Sequence, residues 1–250
     1  MLDEIKCCHY EELMSRLPAK SVDLVLTDPP FGIHYQNNYT HFKHEVMAGD
    51  EAKFSYKKFG ELAFRALKDN AALFAFTGWS EYPFHFMELE ECGFSLKEPL
   101  ICQKRASGKT DLKGSFQSNA DWCLFAHKGR FIFKETNILK NKRAGTIPNK
   151  GRKPVPEYKT RFPSCWFGKE YPWSSENPTY QTKYNLYHPT IKSQKFMEWV
   201  IQISSNEGDV VLDPFSGTGT VAAAAKKLKR HFIACDISEK YTAMAKARLL

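Results

Sequence analysis

Val210-Val211-Leu212-Asp213-Pro214-Phe215-Ser216-Gly217-Thr218-Gly219-Thr220 is the stretch whose reading decides the fold. An aliphatic, β-branched run ends on an acid, passes through a tight glycine turn and enters the Ala-rich segment Gly219–Leu228, whose composition predicts a helix. His231–Asp236 then reads as a second buried strand, ending 23 residues after Asp213. Strand, helix and strand at this spacing imply a parallel sheet with a right-handed crossover. The chain is therefore read as α/β.

Glycines let the backbone approach a ligand where a Cβ would clash, and an acid closing the second strand can accept hydrogen bonds from both hydroxyls of a ribose. A nucleoside cofactor is the expectation. The dinucleotide fingerprint requires a third glycine after Gly219, but Thr220-Val221-Ala222 follow. Asp213, placed just before the turn, suits the cationic amino-acid portion of S-adenosylmethionine. The spacing thus favours that donor over NAD.

Working outward, Ser193–Ile203 and Glu239–Leu249 are expected to be helices. Near the amino terminus Tyr10–Leu17 has helical spacing, stopped by Pro18, and Ser21–Thr27 is a buried strand. Phe54–Lys68 is a helix, Ala71–Thr77 a strand, Tyr82–Cys92 a helix, and Pro99–Lys104 and Trp122–Ala126 further strands. From Gly129 to about Tyr187 the periodicity dissolves among prolines, aromatics and basic residues.

Ser21–Thr27 runs into Asp28-Pro29-Pro30-Phe31, which places this turn at the carboxyl end of a parallel strand, where ligands bind. Two prolines stiffen the turn and remove two donors, leaving carbonyls as acceptors. A carboxylate and a proline carbonyl accepting the two hydrogens of an exocyclic amine would concentrate electron density on its nitrogen. Phe31 offers a face for stacking an extruded base. Taken alone, the same four residues also describe a structural corner capped by Asp28.

The net charge is +8, and residues 130–187 carry 12 Lys/Arg against 4 Asp/Glu, so this one segment holds a charge equal to the whole chain's excess. Such asymmetry suits a polyanion, or a solvated basic loop. No apolar run approaches membrane-helix length, and no secretory signal pattern opens the sequence. Seven scattered cysteines without metal spacing read as reduced thiols and point to the cytoplasm. No metal site is expected.

Taken together, the two turns resemble the amino-group (N6-adenine/N4-cytosine) DNA methyltransferases. Their order, with the catalytic tetrapeptide first, a target-recognition region next and the cofactor turn last, resembles the beta class. Leu17-Pro18 through Ser21-Val22-Asp23-Leu24 is similar to the family's run-up, and His188-Pro189-Thr190-Ile191-Lys192 to its HPT-x-K segment. Ala234-Cys235-Asp236-Ile237 with Tyr241 is similar to its ribose-binding element. The resemblance implies a class I, Rossmann-like methyltransferase fold with a seven-stranded, mostly parallel sheet. Residues 1–129 and 188–250 would form the catalytic domain and 130–187 an inserted target-recognition region. It implies Asp28, Pro29, Pro30 and Phe31 as catalytic residues. S-adenosylmethionine would be held by Asp213, Pro214, Phe215, Ser216, Gly217, Thr218, Gly219, Thr220, Asp236, Ile237, His188, Thr190 and Lys192. DNA would be held by Lys104, Arg105, Lys140, Lys142, Arg143, Arg152, Lys153 and Arg161, with the target base flipped out of the duplex. Asp28, rather than a serine, tips the substrate towards adenine. N4 of cytosine, an RNA or protein-glutamine acceptor, and a nucleic-acid binder without activity stay open as alternatives, as do a homodimer and a companion restriction endonuclease. One departure stands out: where the family usually has Gly-Asp ahead of the run-up, this sequence has Cys8-His9.

Overall fold

The computed structural model describes residues 2–30, 54–103, 114, 119–134, 137–139, 158–160, 162, 164–166 and 192–250. The chain begins with β1 (Glu4–Cys7), α1 (Tyr10–Ser15), β2 (Val22–Thr27), α2 (Tyr56–Ala66), β3 (Leu67–Thr77) and α3 (Tyr82–Glu91). There follow β4 (Ser95–Leu96), β5 (Leu100–Gln103), β6 (Ala120–His127), β7 (Asn137–Leu139), β8 (Tyr158–Thr160) and β9 (Cys165–Trp166). The carboxyl-terminal part is α4 (Gln194–Ser204), β10 (Val210–Asp213), α5 (Thr220–Lys227), β11 (His231–Asp236) and α6 (Glu239–Arg248).

Among the described residues the main sheet runs β1-β11-β10-β2-β3-β6-β5-β9, with β4 pairing β6. Contacts from β1 through β3 are parallel, those of β6 with β3, β4 and β5 are antiparallel, and β5 pairs β9 in parallel. Seven of these strands have four residues or more; β4 and β9 add two-residue pieces. The expected mostly parallel sheet of seven strands is therefore present, with two short extensions.

The expected elements appear at their positions with ends shifted by a few residues. Three features differ, the first being the two-residue strand β4 beside β6. Residues 4–7 form an edge strand against β11, although four residues alternating charged and apolar give too short a period to recognise. The stretch from Gly129 is not wholly irregular, because β7 and β8 pair antiparallel and β9 joins β5. Three short strands held by distant partners leave no periodic trace. Phe131, Phe133 and Trp166 from this stretch also pack against the main core.

Residues alternate between the two sheet faces. Val25, Leu73, Ala75, Leu212 and Ile233 face α1, α2 and α3, burying Leu13, Met14, Tyr56, Phe59, Ala63 and Leu89. Leu24, Leu26, Phe74, Phe76, Val211 and Ala234 face α4 and α5, burying Phe196, Met197, Val200, Val221 and Ala225. The near-continuous burial of β2, β10 and β11 follows from helices covering both faces of parallel strands. No helix among the described residues is long and apolar enough to cross a membrane.

The packing fixes the end of β10 through aromatics: Phe59 and Phe54 both contact the ring of Phe215 edge-on, and Tyr10 approaches it at 5.0 Å. Phe59→Ala is expected to lower unfolding free energy by about 3–5 kcal/mol through lost burial and a residual cavity. Phe84→Ala, at a side chain 54% exposed, should change it by less than about 0.5 kcal/mol. Urea denaturation of the two variants checks both.

Candidate functional site

The crossovers leave β2 and β10 in opposite directions, since β2 leads through α2 to β3 on one side and β10 through α5 to β11 on the other. Loops that diverge at such a switch point open a crevice at the carboxyl ends of the strands. Asp28-Pro29-Pro30 follows β2 and Asp213–Gly219 follows β10, so the fold brings the two motifs of the sequence together.

One side-chain bond ties the two strand ends, and a second anchors Asp28. The Thr27 hydroxyl donates to Asp213 Oδ1 at 2.6 Å, both residues being buried. Lys192 Nζ donates to Asp28 Oδ2 at 2.8 Å. Burial pushes the Asp213 carboxyl up to about 7, against the lowering effect of the Thr27 hydroxyl and the Phe215 N–H; the charges of Asp28 and Asp236 push the same way as burial. For Lys192, burial works to discharge the ammonium, but the carboxylates of Asp28 and Asp121 outweigh it and hold its pKa above the ordinary lysine value. The site therefore holds a carboxyl that titrates near neutrality beside a charged ion pair.

The glycine turn is braced from within. Ser216 N–H donates to Cys235 O, Gly217 N–H to Asp236 Oδ2, and Gly219 N–H to Ser216 O, at 2.7–2.8 Å. Asp236 Oδ1 accepts from Ser238 N–H at 2.9 Å. Burial raises the Asp236 carboxyl, and these two backbone donors pull it back. The buried Ser216 hydroxyl meets no hydrogen-bond partner among the described residues. Arg248 clamps the turn from α6, donating to Thr218 O and Thr220 Oγ1 as well as to Gln194 Oε1. Ile237, beside Asp236, is 51% exposed and offers an apolar face at the mouth of the crevice.

Cys8 and His9 take structural places here. Cys8 N–H donates to Asp236 O at 3.1 Å, which puts its backbone against the last residue of β11. His9 caps α1, its Nδ1 accepting from Glu11 N–H, the service an Asp commonly performs at such a position. The residue standing where the family usually has Asp is here a helix cap.

Asp28 thus meets Lys192 directly and stands near Asp213, while Asp213–Thr220, Asp236 and Ile237 lie at the ends of the neighbouring strands β10 and β11. Phe31, His188, Thr190, Lys104, Arg105, Lys140, Lys142, Arg143, Arg152, Lys153 and Arg161 lie outside the described residues. Sequence reasoning missed Tyr56. Its ring stacks on His85 at 3.9 Å, its hydroxyl donates to Phe76 O, and Asp28 is close enough to raise its pKa further than burial alone does. His85 in turn bonds Thr77 Oγ1 at 2.7 Å, so α2 and α3 together fix the end of β3 beside the crevice. A tyrosine in the first turn of an amphipathic helix carries no signal of such a role.

Gly219 has φ 76°, and a Cβ there would come within 2.9 Å of Ala245 Cβ and 3.1 Å of its Cα. The glycine is required both by the turn and by the approach of α6. Gly219→Ala should destabilise the fold by about 2–4 kcal/mol, the left-handed cost plus the clash. Gly208→Ala, with φ 84° but open space around the new Cβ, should cost only about 1–2 kcal/mol. Denaturant titration of the pair separates packing from backbone strain.

A family model for DNA methylases, the N6/N4 methyltransferases, matches residues 22–247. Among curated proteins, the type II methyltransferase M.HpaI of Haemophilus parainfluenzae is 28% identical over 97% of this chain and 73% of its own length. The DNA adenine methyltransferase YhdJ of Escherichia coli is 27% identical over 94% of this chain and 79% of its own. Among solved structures, the M1.HpyAVI–SAM complex superposes with TM-score 0.64 at 23% identity, covering 98% of this chain and 99% of that one. The PvuII cytosine-N4-specific DNA methyltransferase gives TM-score 0.69 at 18% identity, covering 99% of this chain and 86% of that one. These two share the fold, the class I methyltransferase architecture expected from the sequence. A family model spanning most of the chain, together with both motifs at one switch point, identifies the protein as a member of the N6/N4 DNA methyltransferase family.

Proposed function

We propose that this protein transfers a methyl group from S-adenosylmethionine to the N6 amino group of adenine in DNA, with Asp28-Pro29-Pro30-Phe31 as its catalytic turn. The observation that carries the reading is the adjacency of Asp28 and Asp213 at the ends of neighbouring strands, where Thr27, the residue before Asp28, donates its hydroxyl to Asp213.

The residues of the crevice fit the donor. Asp213 supplies a carboxylate for the cationic amino-acid portion, and Ser216 supplies a buried hydroxyl without a protein partner among the described residues. Asp236 presents its carboxylate at the end of β11 for ribose hydroxyls, and Ile237 gives an apolar surface for a base. His188 and Thr190, in the segment leading to Lys192, complete the set by resemblance. When bound, the donor supplies an electrophilic methyl on a positively charged sulfur.

Asp28 and the carbonyl of Pro29 accept the two N–H bonds of the target amine, turning its lone pair towards the methyl. They would also stabilise the positive charge that grows on nitrogen as the methyl passes to it from sulfur, before that nitrogen releases one of its two protons. The chemistry demands orientation above all, which two prolines and a half-buried ion pair would provide. Phe31 stacks the flipped base. Adenine is favoured over cytosine because the turn opens with aspartate rather than serine.

Residues 130–187 form the target-recognition region in this reading. Lys140, Lys142, Arg143, Arg152, Lys153 and Arg161, with Lys104 and Arg105, neutralise phosphates and give salt-dependent affinity without sequence information.

Duplex DNA methylated by the pure protein and digested to nucleosides should contain N6-methyladenine, and Asp28→Ala should reduce its yield by about 100-fold or more while DNA affinity stays near wild type. N4-methylcytosine in the digest would assign the other base. Absence of any methylated nucleoside with the wild-type protein would leave a DNA binder instead.

A further inference from the structure

Lys192 is separated from Asp28 by 164 residues, yet its Nζ lies 2.8 Å from Asp28 Oδ2. The residue is only 9% exposed. Its ammonium also stands 5.1 Å from the centre of the Phe76 ring, at the carboxyl end of β3. A buried ammonium without a counter-charge costs several kcal/mol, so the position of this one is set by the acids around it.

The backbone holding Lys192 is fixed as firmly. Ser193, the next residue, caps α4 by accepting from Phe196 N–H. Phe196, Met197 and Val200 then bury that helix against β2, β3 and β10. The ammonium is therefore carried on a packed helix end.

The resemblance gives this lysine to the donor. The geometry points to a different service: Lys192 is the positioning residue of the catalytic turn, holding Asp28 as a carboxylate and anchoring one of its oxygens so that its plane is fixed towards the incoming amine. The inference rests on the proposed catalytic role of Asp28.

A carboxylate in this setting needs such a partner. Asp28 faces Asp213 from β10, Tyr56 from α2 and Cys123 from β6, and each of these groups has its pKa raised in part by the negative charge of Asp28. Asp121, on β6, acts on the same ammonium. Lys192 brings a cation into contact with Asp28. Without it, protonation of Asp28 would occur at higher pH, because opposite charge favours the ionised form and its loss removes that help. A protonated Asp28 would be a weaker acceptor for the amine and would carry a competing O–H donor.

The two roles separate experimentally. Single-turnover methyl transfer to duplex DNA at saturating S-adenosylmethionine, and donor Kd by calorimetry, are measured for wild type, Lys192→Met, Lys192→Arg and Asp28→Ala. Lys192→Met should keep donor Kd within about threefold, lose about 100-fold in transfer rate, and move the acidic limb of the pH–rate profile up by about one unit. Lys192→Arg should recover most of the rate. A donor Kd raised by about tenfold or more in Lys192→Met, or an acidic limb that does not move, overturns the inference. An inactive Asp28→Ala beside an unaffected Lys192→Met overturns this inference alone. An Asp28→Ala that still transfers methyl overturns the catalytic reading, and this inference with it.

Discussion

Asp28 and Asp213 close two neighbouring parallel strands, and the hydrogen bond from Thr27 to Asp213 joins the end of one strand to the end of the other. Two carboxyls this close, in a poorly solvated crevice, cannot both carry full charge without help. The remaining features of the crevice answer that constraint. Lys192 neutralises Asp28, while Asp213 keeps a pKa near neutrality and meets the Thr27 hydroxyl and the Phe215 N–H. The strand order supplies the reason for the pairing: β2 and β10 are the strands between which the crossovers diverge.

Around this centre the sheet acts as a frame. The aromatic group of Tyr10, Phe54, Phe59 and Phe215 sets the turn after β10 from one face. Gly219 against Ala245, with Arg248 bonded to Thr218 and Thr220, sets it from the other. Asp236 serves two ends at once, bracing Gly217 and Ser238 while standing at the mouth of the crevice. As the proposed donor site, the turn is braced by bonds that exist without any ligand, so binding need not order it.

Much of this was legible in the sequence, for identifiable reasons. The strand, glycine turn and helix at 210–228 state their geometry locally, and Asp28-Pro29-Pro30 lies directly after a buried strand. What stayed hidden depended on partners far along the chain. Glu4–Cys7 is a strand only because β11 lies beside it, and Cys165–Trp166 only because β5 does. Lys192 could be assigned to a motif but not to Asp28, since nothing in a sequence reports a contact across 164 residues. His9 shows the converse: a departure from the family pattern at the level of letters is, in the fold, a helix cap of the ordinary kind.

The adjacency of the two carboxyls makes a claim that can be measured directly. If Asp213 receives the donor's cationic end, binding requires it ionised, and its pKa of about 7 in the free protein sets the pH range. The bound cation lowers that pKa, so affinity is full above it and is lost as pH falls through it. Calorimetric titration of S-adenosylmethionine between pH 6 and pH 8 should show affinity about tenfold weaker at the lower end, with Asp213→Asn binding weakly and without this dependence. A wild-type affinity that is flat across the same range would contradict the account.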